Sequence, residues 1–126
     1  MRGGTANCHV VLSTQSQSPF IGSDMTHALF MNEAAYNKFK GWITDPSHVI
    51  VHTGLIHHDF KGCDFNLVAH EHGIDRSMNM IAYGMLVKLL GWSEALGLAV
   101  MVEKFSNLSP TLLENNIKAF RLGFTL

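Results

Sequence analysis

Eight histidines stand in a chain of 126 residues, and two groups of them are dense enough to suggest chemistry. His57-His58-Asp59 and His70-Glu71-His72 set imidazole beside carboxylate. A zinc site needs three or four such groups converging on one point, and HExxH spacing helps by putting two imidazoles on one helix face. HEH spacing does not. In a strand, His70 and His72 would point to the same side, and folding would have to bring His57 or Asp59 in as a third ligand. Gly73, directly after the cluster, argues for a loop, with the histidines solvated or at a subunit seam. No metal ligand is assigned on this pattern.

The opening tetrapeptide, Arg2-Gly3-Gly4-Thr5, is a second candidate. Glycines let the backbone approach a ligand closely. Successive amides there can form an anion-binding concavity, and Arg2 adds a fork-shaped donor for phosphate or carboxylate. Thr5 adds a hydroxyl. The same residues also serve as a plain turn. No serine sits in a GxSxG elbow. Cys8 falls inside a strand, where a thiol is a small core group. No catalytic residue is assigned.

The elements that must position these groups follow from pattern. Residues 8–13 (CHVVLS) and 48–53 (HVIVHT) are β-branched runs bounded by turn residues and read as strands. Residues 27–31 (HALFM) form a short apolar run of the kind a buried parallel strand shows. Asn32 can cap a helix over 33–40 that Gly41 stops. Residues 64–69 (DFNLVA) are a further strand candidate. Strands alternating with crossovers argue for an α/β layer with a largely parallel sheet. From residue 78 the character changes. Residues 78–90 (MNMIAYGMLVKLL) are apolar nearly all round, which predicts a helix buried on most sides and closed by Gly91. Tyr83 and Trp92 read as core or interface anchors. Ser93 caps a second helix with Leu98, Val102 and Phe105 on one face. Ser109-Pro110 opens a third, with Leu113, Ile117 and Phe120 inward, Glu114 and Lys118 paired outside and Gly123 as its stop. The expectation is one α/β domain over 1–126 with a C-terminal helical cap.

Composition narrows the function class. Hydrophobic residues make up 47% and charged residues 15%, and the net charge is -1. So little charge leaves apolar surface for a permanent partner. No basic field draws the chain to nucleic acid. No apolar run is long enough to span a membrane, and the start lacks the apolar region of a secretory signal. Cys8 and Cys63 form no CxxC, which fits a reduced, cytoplasmic protein.

Taken in order, several segments resemble the gamma subunit of 2-oxoacid:ferredoxin oxidoreductases. MRGGTANCHVV is similar to the segment after that family's first βαβ unit. SPFIGSD, HALFMNEAAYNKF and HVIVHTGLI resemble its next loop, strand–helix and strand. SMNMIAYGMLVKLLG resembles its xANMxxLGxLxxxxG helix, and SPTLLENNIKAFRLGF its closing helix. The family begins with a strand, a GxGGQG turn and a helix that this chain does not show, so a Rossmann-like layer truncated at its N-terminus is expected. HEHGIDR also looks too short for the helix the family places before its NM segment.

The resemblance implies an enzyme complex acting on 2-oxoglutarate, pyruvate or branched-chain 2-oxoacids. Such a complex decarboxylates the acid on thiamine diphosphate, sends electrons through iron–sulfur clusters to ferredoxin and passes the acyl group to coenzyme A. It implies that this chain holds no thiamine or cluster itself. Its partners are then the alpha, beta and, where present, delta subunits, with ferredoxin reached through the complex. It also implies that Arg2, Gly3, Gly4 and Thr5 line an anionic-ligand loop near the coenzyme A entrance, with Asn32 at a strand end beside it. Two other readings stay open: a free-standing α/β module for a nucleotide-like ligand, and a small metalloprotein using the histidine clusters. Low charge and the apolar helix favour the partnered subunit.

Overall fold

The computed structural model describes Val10, residues 25–54 and residues 60–126. The predicted strand at 8–13, the RGGT loop and the His57-His58-Asp59 cluster lie outside the described residues.

Among the described residues three strands form a parallel sheet in the order β1 (Ala28–Phe30), β2 (Val49–His52), β3 (Lys61–Cys63). Leu29 pairs with Ile50, and Val51 with Gly62. β2 is buried along its whole length, as a central parallel strand must be, which is why it reads as an unbroken apolar run. Alternation sorts its neighbours. Ala28, Phe30, Val49 and Val51 pack with α1 (Glu33–Phe39) through Ala35, Tyr36 and Phe39. Leu29, Ile50 and Cys63 face the opposite layer.

That layer comprises α2 (Phe65–Glu71), α3 (Met78–Leu89), α4 (Glu94–Lys104) and α5 (Pro110–Thr125). Phe65, Ala69, Ile81, Ala82, Met85 and Ala119 close over Ile50. A further cluster of Val87, Met101 and Phe120 joins α3, α4 and α5, with Leu98, Val102, Phe105 and Ile117 packed on it. The Tyr83 hydroxyl donates to the Gly97 carbonyl at 3.0 Å, tying α3 to α4. Ser77 Oγ donates to Asn116 Oδ1 at 2.6 Å in the buried seam between the start of α3 and α5.

Local signals explain the helix ends. Asn32 Oδ1 accepts from Ala35 N at 2.8 Å, and the Ser93 and Ser109 hydroxyls accept from Leu96 N and Leu112 N, each satisfying an amide the helix itself cannot. After α1 the backbone tightens into a 3-10 turn through Gly41. Gly91 follows α3 at φ 78°, as expected for a helix stop.

Several expectations are corrected. Residues 64–69 are not a strand. β3 ends at Cys63, and Asp64 Oδ1 accepts from Leu67 N at 3.1 Å, so the apolar run after it coils into α2. A helix therefore does precede the NM segment, built from 65–71 rather than from HEHGIDR. Gly123 does not stop α5, which continues to Thr125. A side chain there would run into the Ile81 carbonyl, and one on Gly84 into the Phe120 carbonyl, so the two glycines let α3 and α5 cross with backbones touching. Lys118 does not pair with Glu114; its Nζ donates to the His72 carbonyl at 3.1 Å.

Candidate functional site at the carboxyl ends of the strands

Open α/β sheets place ligands beyond the carboxyl ends of their strands. Here that edge gathers Asn32 after β1, His52, Thr53 and Gly54 at the end of β2, and Cys63 and Asp64 at the end of β3. Thr53 N donates to the Cys63 carbonyl at 3.0 Å, holding the last two strand ends together. Asn32 is the expected site residue that falls among the described residues. Its carboxamide oxygen is committed to the α1 cap, so its nitrogen is the side-chain group left to donate to another partner.

His52 is the residue that pattern reading missed. It is 1% exposed, and its ring lies edge-on to Phe65 at 5.4 Å. Gly54 N donates to His52 Nδ1 at 3.2 Å. With Nδ1 accepting, the neutral ring carries its proton on Nε2. That atom is buried and has no hydrogen-bond partner among the described residues. An unsatisfied buried donor costs about 1–3 kcal/mol, so a residue that spends this in the middle of the edge marks it as the candidate site. The one sequence signal was a polar ring ending an otherwise apolar strand.

The charges around it agree with a neutral imidazole. Burial pushes the His52 pKa below its usual value, and the Asp64 carboxylate opposes this only in part. An unfolded histidine titrates near pH 6.5. Below that pH the unfolded chain takes up a proton that the folded His52 refuses, so stability is fully present above it and declines as pH falls through the depressed value. Urea unfolding at pH 7.5 and pH 5.5 should show a loss in the native chain that His52→Leu reduces, with His27, which burial also holds below its usual value, supplying part of the rest. An equal loss in both would exclude His52 as the source.

Cys63 is no nucleophile. Burial, with Asp64 adding to it, raises its thiol to about 11, and Sγ packs 4.0 Å from Met85 Sδ. The Asp64 carboxylate sits over Gly54, where a β-carbon would come within 2.7 Å of it. Gly54 is therefore a close-approach glycine that lets the α2 cap fold back onto the β2 turn.

The histidine clusters do not converge. His70 and His72 lie on and just after α2, two positions apart, so they diverge rather than share a strand face. His70 Nδ1 lies 3.2 Å from Asp75 Oδ1, and His72 Nδ1 bonds the Val68 carbonyl at 2.9 Å. Among the described residues no group of three or more His, Cys, Asp or Glu could hold a metal ion. The two cysteines of the sequence fall short of the four thiolates a typical cluster needs. No helix among the described residues is long and apolar enough to cross a membrane.

The whole sequence, residues 1–126, matches the family profile described as pyruvate ferredoxin/flavodoxin oxidoreductase. The chain is similar to the 2-oxoglutarate synthase subunit KorC of Archaeoglobus fulgidus, 28% identical over 129 residues. The match covers 99% of this chain and 65% of that protein, so the chain spans slightly under two thirds of the relative's length. No solved structure matches it.

Proposed function

Because the chain belongs to the pyruvate ferredoxin/flavodoxin oxidoreductase family, we propose that it is a gamma-type subunit of a cytoplasmic 2-oxoacid:ferredoxin oxidoreductase. The observation that carries this reading is the family match over the entire sequence. The name of the similar protein makes 2-oxoglutarate the first substrate to test. In such a complex the 2-oxoacid loses carbon dioxide, two electrons pass to ferredoxin, and the acyl group is transferred to coenzyme A.

This chain contributes structure and a ligand edge rather than the redox groups. Its two cysteines do not fit an iron–sulfur cluster, so the clusters, like the thiamine diphosphate, sit on the alpha, beta or delta partners. Its apolar surface suits burial against them. The exposed Leu67 on α2 is part of that surface. The proposed contribution to the reaction is at the coenzyme A entrance. Arg2, Gly3, Gly4 and Thr5 form an anion-binding loop for its phosphates, and the Asn32 carboxamide lies at the sheet edge that ligands favour.

The test is kinetic. Arg2→Ala, in the complex reconstituted with its partner subunits, should raise KM for coenzyme A about tenfold and leave kcat little changed, as loss of one charged hydrogen bond predicts. An unchanged KM removes Arg2 from the site. Failure of the chain to restore ferredoxin reduction with any 2-oxoacid, when added to the other subunits, removes the subunit reading itself.

A further inference from the structure

We propose that His27 and His48 form a pH-sensitive clasp between the chain entering β1 and the chain entering β2, closed while at most one ring is charged and opened when both are. Ala28 pairs with Val49 at the amino end of the sheet, so the two histidines are the next residues outward on neighbouring strands. Their rings stack face to face, with centroids 4.4 Å apart and planes 9° from parallel. This is the end of the sheet opposite Asn32 and His52. The joint it closes is short. Ahead of β1, Met25 N donates to the Trp42 carbonyl at 2.9 Å and Thr44 Oγ1 donates to the Met25 carbonyl at 2.7 Å. β1 itself is three residues long.

Hydrogen bonds set the order in which the rings charge. His48 Nδ1 lies 3.2 Å from the Thr26 carbonyl, which only accepts, so Nδ1 carries the proton of the neutral ring and Nε2 takes the next one. The same Nδ1 lies 3.6 Å from Asp45 Oδ2. Asp45 accepts from the Ser47 hydroxyl and the Ser47 amide, which hold its carboxyl below the usual range, so it is anionic wherever histidine titrates. With a carbonyl and a carboxylate at its N–H, His48 is the ring that charges first. The product is a cationic ring over the face of a neutral one, an attractive arrangement. His27 Nδ1 meets the Thr26 hydroxyl at 3.1 Å, a group that donates or accepts and so favours neither state. Among the described residues His48 and Asp45 are the titratable groups that act on His27. Burial first, then His48, hold it below its ordinary value, and Asp45 opposes them. A second proton sets two like charges 4.4 Å apart, across a gap that the stacked rings keep free of water. Separation of the rings also breaks the His48 bond to the Thr26 carbonyl. An unfolded histidine titrates near pH 6.5, so the clasp is closed above that pH and is lost as pH falls through the depressed value of His27.

Nuclear magnetic resonance of the histidine rings in the full chain should show His48 charging first, from the Nδ1–H tautomer. His27 should follow in a second step about one pH unit lower or more. Hydrogen exchange, corrected for the intrinsic rate at each pH, should then show the β1 amides losing about tenfold more protection than the β3 amides below the second step. Both are read in a His52→Leu background, because His52 also resists a proton. His27→Phe in that background keeps a ring against His48 that cannot charge, so β1 should stay protected at the pH that opens its parent. Two histidines that titrate as independent groups, β1 and β3 amides that open alike, or a His27→Phe chain that opens at the same pH as its parent overturns the proposal.

Discussion

Gly123→Ala unfolds this protein, or lowers its stability by about 3 kcal/mol or more, although alanine is the better helix former by about 1 kcal/mol. The added methyl meets the Ile81 carbonyl, a backbone atom on a helix that Ile50 of β2 and Phe65 and Ala69 of α2 already hold from another side. Neither helix can shift without opening both the sheet-covering cluster and the one around Phe120. Gly84→Ala should behave alike, since its methyl meets the Phe120 carbonyl and the Phe124 amide. Gly41→Ala is the control. No atom lies within 4 Å of its β-carbon position, so it should change stability by less than about 0.5 kcal/mol. Thermal unfolding of the three variants reads the difference. A Gly123→Ala protein with a native midpoint would show that α3 and α5 do not cross this closely.

Phe120→Ala should cost about 3–5 kcal/mol, a fall of roughly 15 °C in melting temperature for a domain of this size. Phe120 is fully buried, lies 5.4 Å from the Tyr83 ring and 6.0 Å from Phe124, and fills the space above Gly97. A β-carbon on Gly97 would come within 2.8 Å of the Phe120 ring. The ring is thus the wedge that three helices share, and alanine leaves a cavity that none of them can collapse into. Phe120→Leu, which keeps most of the volume, should lose much less. Equal losses in the two variants would show that the wedge is not what holds α4 in place.

How much of this was legible from residues alone depended on whether a signal was local. The strands at 27–31 and 48–53 were, because a short apolar run and a β-branched run bounded by turn residues need little context, and they appear as β1 and β2 within a residue or two. So were the caps at Asn32, Ser93 and Ser109-Pro110, whose hydrogen bonds span three residues. The misreadings came where tertiary contact decides. DFNLVA suits a strand by its apolar content, and it coils because Asp64 caps it above Gly54. Gly123 looks like a stop until Ile81 is seen against it. Asn32 follows β1 and caps α1, while its part in a ligand site stays a proposal. His52 passed as one more residue of an apolar run, because a missing hydrogen-bond partner shows only after burial. The Arg2-Gly3-Gly4-Thr5 loop stays a proposal, since it lies outside the described residues.

One feature of the sheet bears on how the protein is made. Its helical-side face, Leu29 and Ile50, is covered by α2, then by Ile81, Ala82 and Met85, and last by Ala119. A ribosome delivers the strands first and Ala119 near the end. Until α5 emerges the nascent chain therefore carries an apolar ledge that α2 and α3 roof only in part, the kind of surface that recruits chaperones and seeds aggregation.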